Sequence, residues 1–189
     1  GEDWFDCIET CMDKADELGM EAWAYDENGW PSGFASGAVP KKSVDFQQKS
    51  LETATLNKGD KLPENLLGLY RVSENGFESI NTAENSCFAV YYTVNPYYID
   101  TFNKDAVKCF IAETHEKYYE HFGDRFGKSL KGFFTDEPQY GHDITPWSTI
   151  FQELFLKKYG YSLTDNLPFL YFDFDGAKKF RSDFYNMVS

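Results

Sequence analysis

Apolar positions fall at Phe5, Ile8, Met12 and Ala15, three or four residues apart with polar residues between them, and Gly19 follows. That spacing predicts an amphipathic helix stopped by the glycine. MEAWAYD (Met20–Asp26) is short and aromatic and predicts a strand, whereas ENGWPSGFASG (Glu27–Gly37) carries the glycines and proline of a long loop. From Asp45 to Ser86 the pattern changes to short alternating runs, KSLETATLN, LLGLYRVS and GFESINT, with an Asn-Gly hairpin signal in SENGF (Ser73–Phe77). These predict a small β-rich insertion, after which SCFAVYYTV (Ser86–Val94) returns as a strand of the main sheet. Beyond the loop NPYYIDTFN, Val107, Phe110, Ile111, Thr114 and Tyr118 mark a helix that starts at an Asn103 cap. KGFFTD is the next strand, Trp147, Ile150, Phe151, Leu154 and Phe155 predict a helix ending before Gly160, and GAKKFRSDFYNMV (Gly176–Val188) predicts another. Tyr118, Phe133 and Phe151 are assigned to the core.

Strands that alternate with helices of this length predict a parallel α/β sheet, closed as a barrel or open. Residues 1–44 and 87–189 then supply the βα segments of one domain, with residues 45–86 inserted between them. The strands near Glu21–Tyr25, Phe88–Thr93 and Gly132–Thr135 are expected to be parallel neighbours.

Composition narrows the function. A chain of 189 residues that is 42% hydrophobic can bury a core, so disorder is excluded. A formal charge of −13 repels phosphate backbones and argues against a nucleic-acid partner. No run of about 18 apolar residues predicts a membrane span, and GEDWFDC lacks the basic and apolar regions of a signal peptide. The chain is expected to be soluble, either cytoplasmic or exported within a longer precursor. Cys7, Cys11, Cys87 and Cys109 form neither a CxxC pair nor a disulfide framework and read as core or surface thiols.

In parallel α/β sheets, ligands meet the C-terminal ends of the strands. Three such junctions combine polar and aromatic residues: Tyr25, Asp26 and Glu27 with Trp30; Tyr97 and Tyr98 with Asp100; and Asp136 and Glu137 with Tyr140 and His142. All three are expected on one face. Pro138 should hold Glu137 extended at a strand tip, where enclosure by aromatics would keep its carboxyl protonated as a general acid. Helix capping or a surface ion pair is the alternative for Asp136 and Glu137. Trp30, Tyr97, Tyr98 and Tyr140 offer faces on which sugar rings stack, and carboxylates accept from sugar hydroxyls. His115 reads as a solvated helix residue. No cofactor is expected; a divalent cation such as calcium, held by Asp136, His142 and Asp143, is the alternative.

AYDENGWPSGFASG and the stretch from YIDTFNKDAV to FFTDEPQY resemble, in sequence and in order, a bacterial group of glycoside hydrolases with a (β/α)8 barrel catalytic domain, similar to α-L-rhamnosidases. The resemblance covers roughly residues 1–40 and 96–160 and implies an α/β fold, a partial (β/α)8 barrel with a β-rich insertion. TDEP is similar to the Asn-Glu-Pro at the end of a barrel strand in many glycosidases, which implies Glu137 as acid/base and Asp136, in place of Asn, as a substrate-orienting residue. A whole barrel needs about 250 residues. The chain therefore reads as a fragment, inactive alone, whose open sheet edges could pair with another copy.

Two functions follow. One is a piece of a glycosidase catalytic domain acting on an oligo- or polysaccharide through Glu137, which requires a second carboxylate within roughly 5–10 Å. The other is a carbohydrate-binding or scaffold domain that keeps the aromatic loops without the chemistry.

Overall fold

A computed structural model of the chain describes residues 1–138 and 144–189. It divides into two compact units, Gly1–Gln48 with Pro96–Tyr140, and Lys49–Asn95 with Gly141–Ser189.

The first unit opens with α1 (Glu2–Leu18). Glu2 and Asp3 in its first turn complement the helix dipole. Gly19 closes it in the left-handed conformation, and the N–H of Met20 reaches back to the Ala15 carbonyl across 2.8 Å. The chain turns into β1 (Ala22–Tyr25), which pairs in parallel with β6 (Leu130–Phe134), Ala24 opposite Phe133 and Tyr25 opposite Phe134.

Alternation along β1 separates two faces. Ala24 packs into a core with Met12, Tyr118, Phe122 and Leu130, while Trp23 points away and is 60% exposed. Gly132 is needed beneath that indole, since a Cβ there would lie 2.7 Å from Trp23 Cζ3. Burying each large core side chain contributes roughly 1.5–3 kcal/mol.

Two helices lead into β6: α2 (Lys104–Glu113) and α3 (His115–Phe122). Asn103 caps α2 by accepting from the N–H groups of Asp105 and Ala106, as its sequence position predicts. The single expected helix is broken at Thr114, whose φ of −123° and ψ of −81° lie outside the helical region. Arg125 ties this region to α1 by donating to Asp13 at 2.6 Å and to Asp16 at 3.3 Å.

The five-stranded sheet has the order β4–β3–β5–β2–β7. Its strands are β2 (Gln47–Leu56), β3 (Leu66–Ser73), β4 (Gly76–Ile80), β5 (Cys87–Ile99) and β7 (Thr145–Trp147). The pairs β3–β4, β3–β5 and β2–β7 are antiparallel. Ser73 faces Gly76 across the predicted hairpin turn. Within the second unit α4 (Phe151–Tyr159) and α5 (Ala177–Val188) pack Phe155 on Phe180 at 5.6 Å, and Gly160 stops α4 as expected.

The expected partial (β/α)8 barrel is not the fold. Phe88–Thr93 lies inside β5 and pairs antiparallel with β3, Phe88 opposite Tyr70, and is no parallel neighbour of β1 and β6. The physical reason lies in the connections. The two residues between β3 and β4 are too few for a crossover, so these strands form an antiparallel hairpin, and β5 then passes β4 to run along the other edge of β3, again antiparallel. They build most of the larger sheet, and the parallel pair is β1 with β6. Trp147, assigned by spacing to a helix, belongs to β7; α4 begins four residues later.

Candidate functional site

Because β1 and β6 are parallel, their C-terminal ends lie side by side, and the Asp26 N–H extends the ladder by donating to the Phe134 carbonyl at 3.3 Å. The Asp26 side chain, 2% exposed, is enclosed by hydroxyls. Its Oδ1 accepts from Ser32 Oγ and its Oδ2 from Thr135 Oγ1, each at 2.6 Å. Ser32 is itself buried and fully used. Its Oγ accepts from the Asp136 N–H at 2.9 Å, its N–H donates to the Asp136 carbonyl at 3.0 Å, and its carbonyl accepts from Tyr98 Oη at 2.7 Å. One serine thus joins the loop after β1, the end of β6 and the end of β5.

The ionisable group that faces Asp26 is an imidazole. His115 Nε2 lies 3.7 Å from Asp26 Oδ2. The ring packs between Phe133 at 4.5 Å and Phe110 at 5.8 Å. Burial holds its pKa below the ordinary histidine value, and the Asp26 charge opposes that shift.

Glu27 is held differently. Its Oε1 accepts from the N–H groups of Asn28 at 2.9 Å and Ser36 at 3.4 Å, and its Oε2 from that of Ala35 at 2.5 Å. Ala35 and Ser36 have φ values of 47° and 54°, the backbone geometry in which successive N–H groups converge on an anion. The protein's own carboxylate fills that nest. Tyr25 donates to the Gly29 carbonyl at 2.6 Å, and its hydroxyl pKa is raised by burial and by the charges of Asp136, Asp26 and Glu27. Three of the predicted acids therefore gather around one tyrosine.

A cleft of about 660 Å³ opens beside these strand ends. Trp4, Trp23, Tyr25 and Tyr118 give it aromatic walls, and Asp26, Glu27, Asn28, Ser36, Glu113 and Lys117 line it with polar groups. Trp4 Nε1 donates to Tyr118 Oη at 3.3 Å, which fixes one wall. Glu113 accepts from Lys117 at 2.6 Å and from Lys42 at 2.5 Å, and these two lysines hold its carboxyl well below the usual range, at about 2.

The other expected residues differ in exposure. Trp30 is exposed in the loop after β1, and Tyr97 is 75% exposed. Tyr98 is buried, so its ring offers no stacking face. Asp100, also buried, shapes the turn into α2 by accepting from the Phe102 N–H at 3.0 Å. Glu137 is exposed, and its φ of 41° departs from the extended geometry expected ahead of Pro138. Tyr140, His142 and Asp143 lie outside the described residues, and so does the cation site expected there with Asp136. No cluster of three metal-ligating side chains occurs among the described residues, nor is any described helix long and apolar enough to cross a membrane.

Ser32, Thr135 and His115 are the participants that sequence reasoning missed. Thr135 directly precedes the pair Asp136-Glu137, and Ser32 lies five residues after Glu27 as the hydroxyl of WPSG. His115 gave no such signal, since it is the break at Thr114 that turns it inward.

In comparison with known proteins, no family model, curated protein or solved structure matches the chain, so none identifies it as a glycoside hydrolase.

Proposed function

We propose that the first unit binds a carbohydrate in the cleft at the ends of β1 and β6. The observation that carries this reading is the lining: indole and phenol faces from Trp4, Trp23 and Tyr25 beside the amide of Asn28, the hydroxyl of Ser36 and the ammonium of Lys117. Apolar sugar faces stack on aromatic rings while their hydroxyls need donors and acceptors at the rim. Binding is favoured over hydrolysis because Asp26 and Glu27 accept hydrogen bonds through both oxygens, and Glu113 is paired with two lysines. A glycosidase needs one carboxyl group poised to give a proton and another ready to attack or to activate water. None of these three is so placed.

Titration of the protein with a panel of neutral oligosaccharides, followed by tryptophan fluorescence and by calorimetry, tests the reading. Saturable binding that Trp23→Ala weakens about tenfold or more, with unchanged thermal stability, is the expected result, because the exposed indole adds contact area and little to the core. Absence of binding across the panel, or binding indifferent to Trp23→Ala, would sink it.

A further inference from the structure

Thr114, at the break between α2 and α3, donates its hydroxyl to the Phe110 carbonyl at 2.7 Å. A hydroxyl has one proton, so towards His115 Nδ1, 2.8 Å away, Thr114 Oγ1 can only accept. In that arrangement Nδ1 carries the hydrogen of the neutral ring and Nε2 is bare. That bare nitrogen faces Asp26 Oδ2 across 3.7 Å, acceptor against acceptor. One proton taken from solvent, which reaches the partly exposed ring, converts the contact into an N–H donor facing a carboxylate.

We propose that His115 and Asp26 form a proton-operated latch beside the cleft, closed when Nε2 is protonated and draws the α2–α3 junction onto the end of β1, open when it is bare. Both sides of the latch reach the cleft, since Asp26 and Thr114 line it. Asp26 has no lysine or arginine partner among the described residues, so the imidazolium would be its counter-charge. Oδ2 can accept from Thr135 and from Nε2–H together, because a carboxylate oxygen has two lone pairs. The surroundings leave the switch to this pair. From β6 the neighbour of the ring is Phe133, and from α2 it is Phe110; on either side of His115 in sequence, Glu113 and Lys117 are engaged with each other. Asp26 is the charge that faces it from β1. The latch stands whatever occupies the cleft, and its test uses no ligand.

The experiment is nitrogen-15 NMR of the imidazole across a pH titration of the whole chain. Above its midpoint His115 should show a protonated Nδ1 and a bare Nε2; a protonated Nε2 there would overturn the assignment. In Asp26→Asn the midpoint should move down, since the opposing charge is gone, and an unmoved midpoint would refute the pairing. Should Asp26→Asn fail to fold, Thr114→Val serves instead. It removes the acceptor for Nδ1–H, so the neutral ring should shift towards the Nε2–H form, and an unchanged tautomer would count against the proposal. The backbone amides of Ser32 and Thr135 should titrate with the His115 midpoint in the native chain and lose that step in His115→Gln. Persistence of the step in His115→Gln would show that no latch operates.

Discussion

Ser32 Oγ donates to Asp26 Oδ1 across 2.6 Å, a buried hydroxyl on a buried carboxylate six residues earlier in the chain. The contact folds the loop after β1 back onto the strand it left. Through the further bonds of Ser32 to Asp136, it also fixes where β6 ends.

Ser32→Ala should therefore cost more than a single surface hydrogen bond. It leaves Asp26 Oδ1 and the Asp136 N–H without their partner, and a buried polar group left unsatisfied costs about 1–3 kcal/mol. Urea unfolding should show a loss of roughly 2 kcal/mol, with Ser32→Thr less damaging because it keeps the hydroxyl. An alanine variant as stable as the native chain would mean that water replaces the serine.

Glu27→Ala should loosen the loop more than it unfolds the protein. Of the three amides that Glu27 gathers, those of the exposed residues Asn28 and Ser36 can turn to water, while Ala35 is half-buried. The expected loss is about 1–2 kcal/mol. Limited proteolysis is the sensitive measurement: cleavage within residues 28–37 should accelerate relative to cleavage elsewhere. Glu27→Gln should be intermediate, because its amide nitrogen turns one acceptor into a donor facing donors.

What could be read from sequence was what local pattern determines. The run Phe5, Ile8, Met12, Ala15, Gly19 specifies α1 and its end, and Asn103 specifies the start of α2. The adjacency of β1 and β6 also follows from the helices between them. The fold class was misread because Leu66–Ser73 and Cys87–Ile99 alternate as any half-buried strand does, and alternation says nothing about which strand lies alongside. Connection length decides it for β3 and β4, two residues apart, whereas β5 passes β4 to reach the other edge of β3. At the site, acidic residue types were visible in Tyr25-Asp26-Glu27, but their roles depend on partners distant in sequence. Thr135 reaches Asp26 from 109 residues away. The nest around Glu27 requires positive φ at Ala35 and Ser36, which neither residue type announces.

Gly33→Ala tests the packing beneath the same loop. Gly33 has a φ of 129°, and an added Cβ would lie 2.5 Å from Ile99 Cγ2. Backbone strain and overpacking each cost about 1–3 kcal/mol, so a loss of at least 2 kcal/mol is expected. Ile99→Ala, which removes Cγ2 from the end of β5, should make the added methyl cost less. A double-mutant cycle by denaturant unfolding measures that rescue, and strictly additive effects would mean that Ile99 does not limit the space.

Acid stability should fall in two separable windows. A histidine whose folded pKa lies below its unfolded value of 6.5 binds its proton less readily when folded, so stability declines as pH drops below 6.5 and levels off beneath the folded pKa. Glu113 acts lower. Lys117 and Lys42 depress its pKa from 4.5 to about 2, so its stabilisation is present in full above 4.5 and is lost as pH falls towards 2. Both lysines are about half exposed, and solvent screening reduces the contribution to about 1 kcal/mol. Urea unfolding of the native chain and of Glu113→Gln should differ by that amount at pH 7, remain apart at pH 5, and converge near pH 2.5. His115→Gln should instead remove only the decline that begins near pH 6.5. Curves for Glu113→Gln that run parallel to the native ones down to pH 2.5 would show that the Lys42–Glu113–Lys117 cluster contributes nothing through charge.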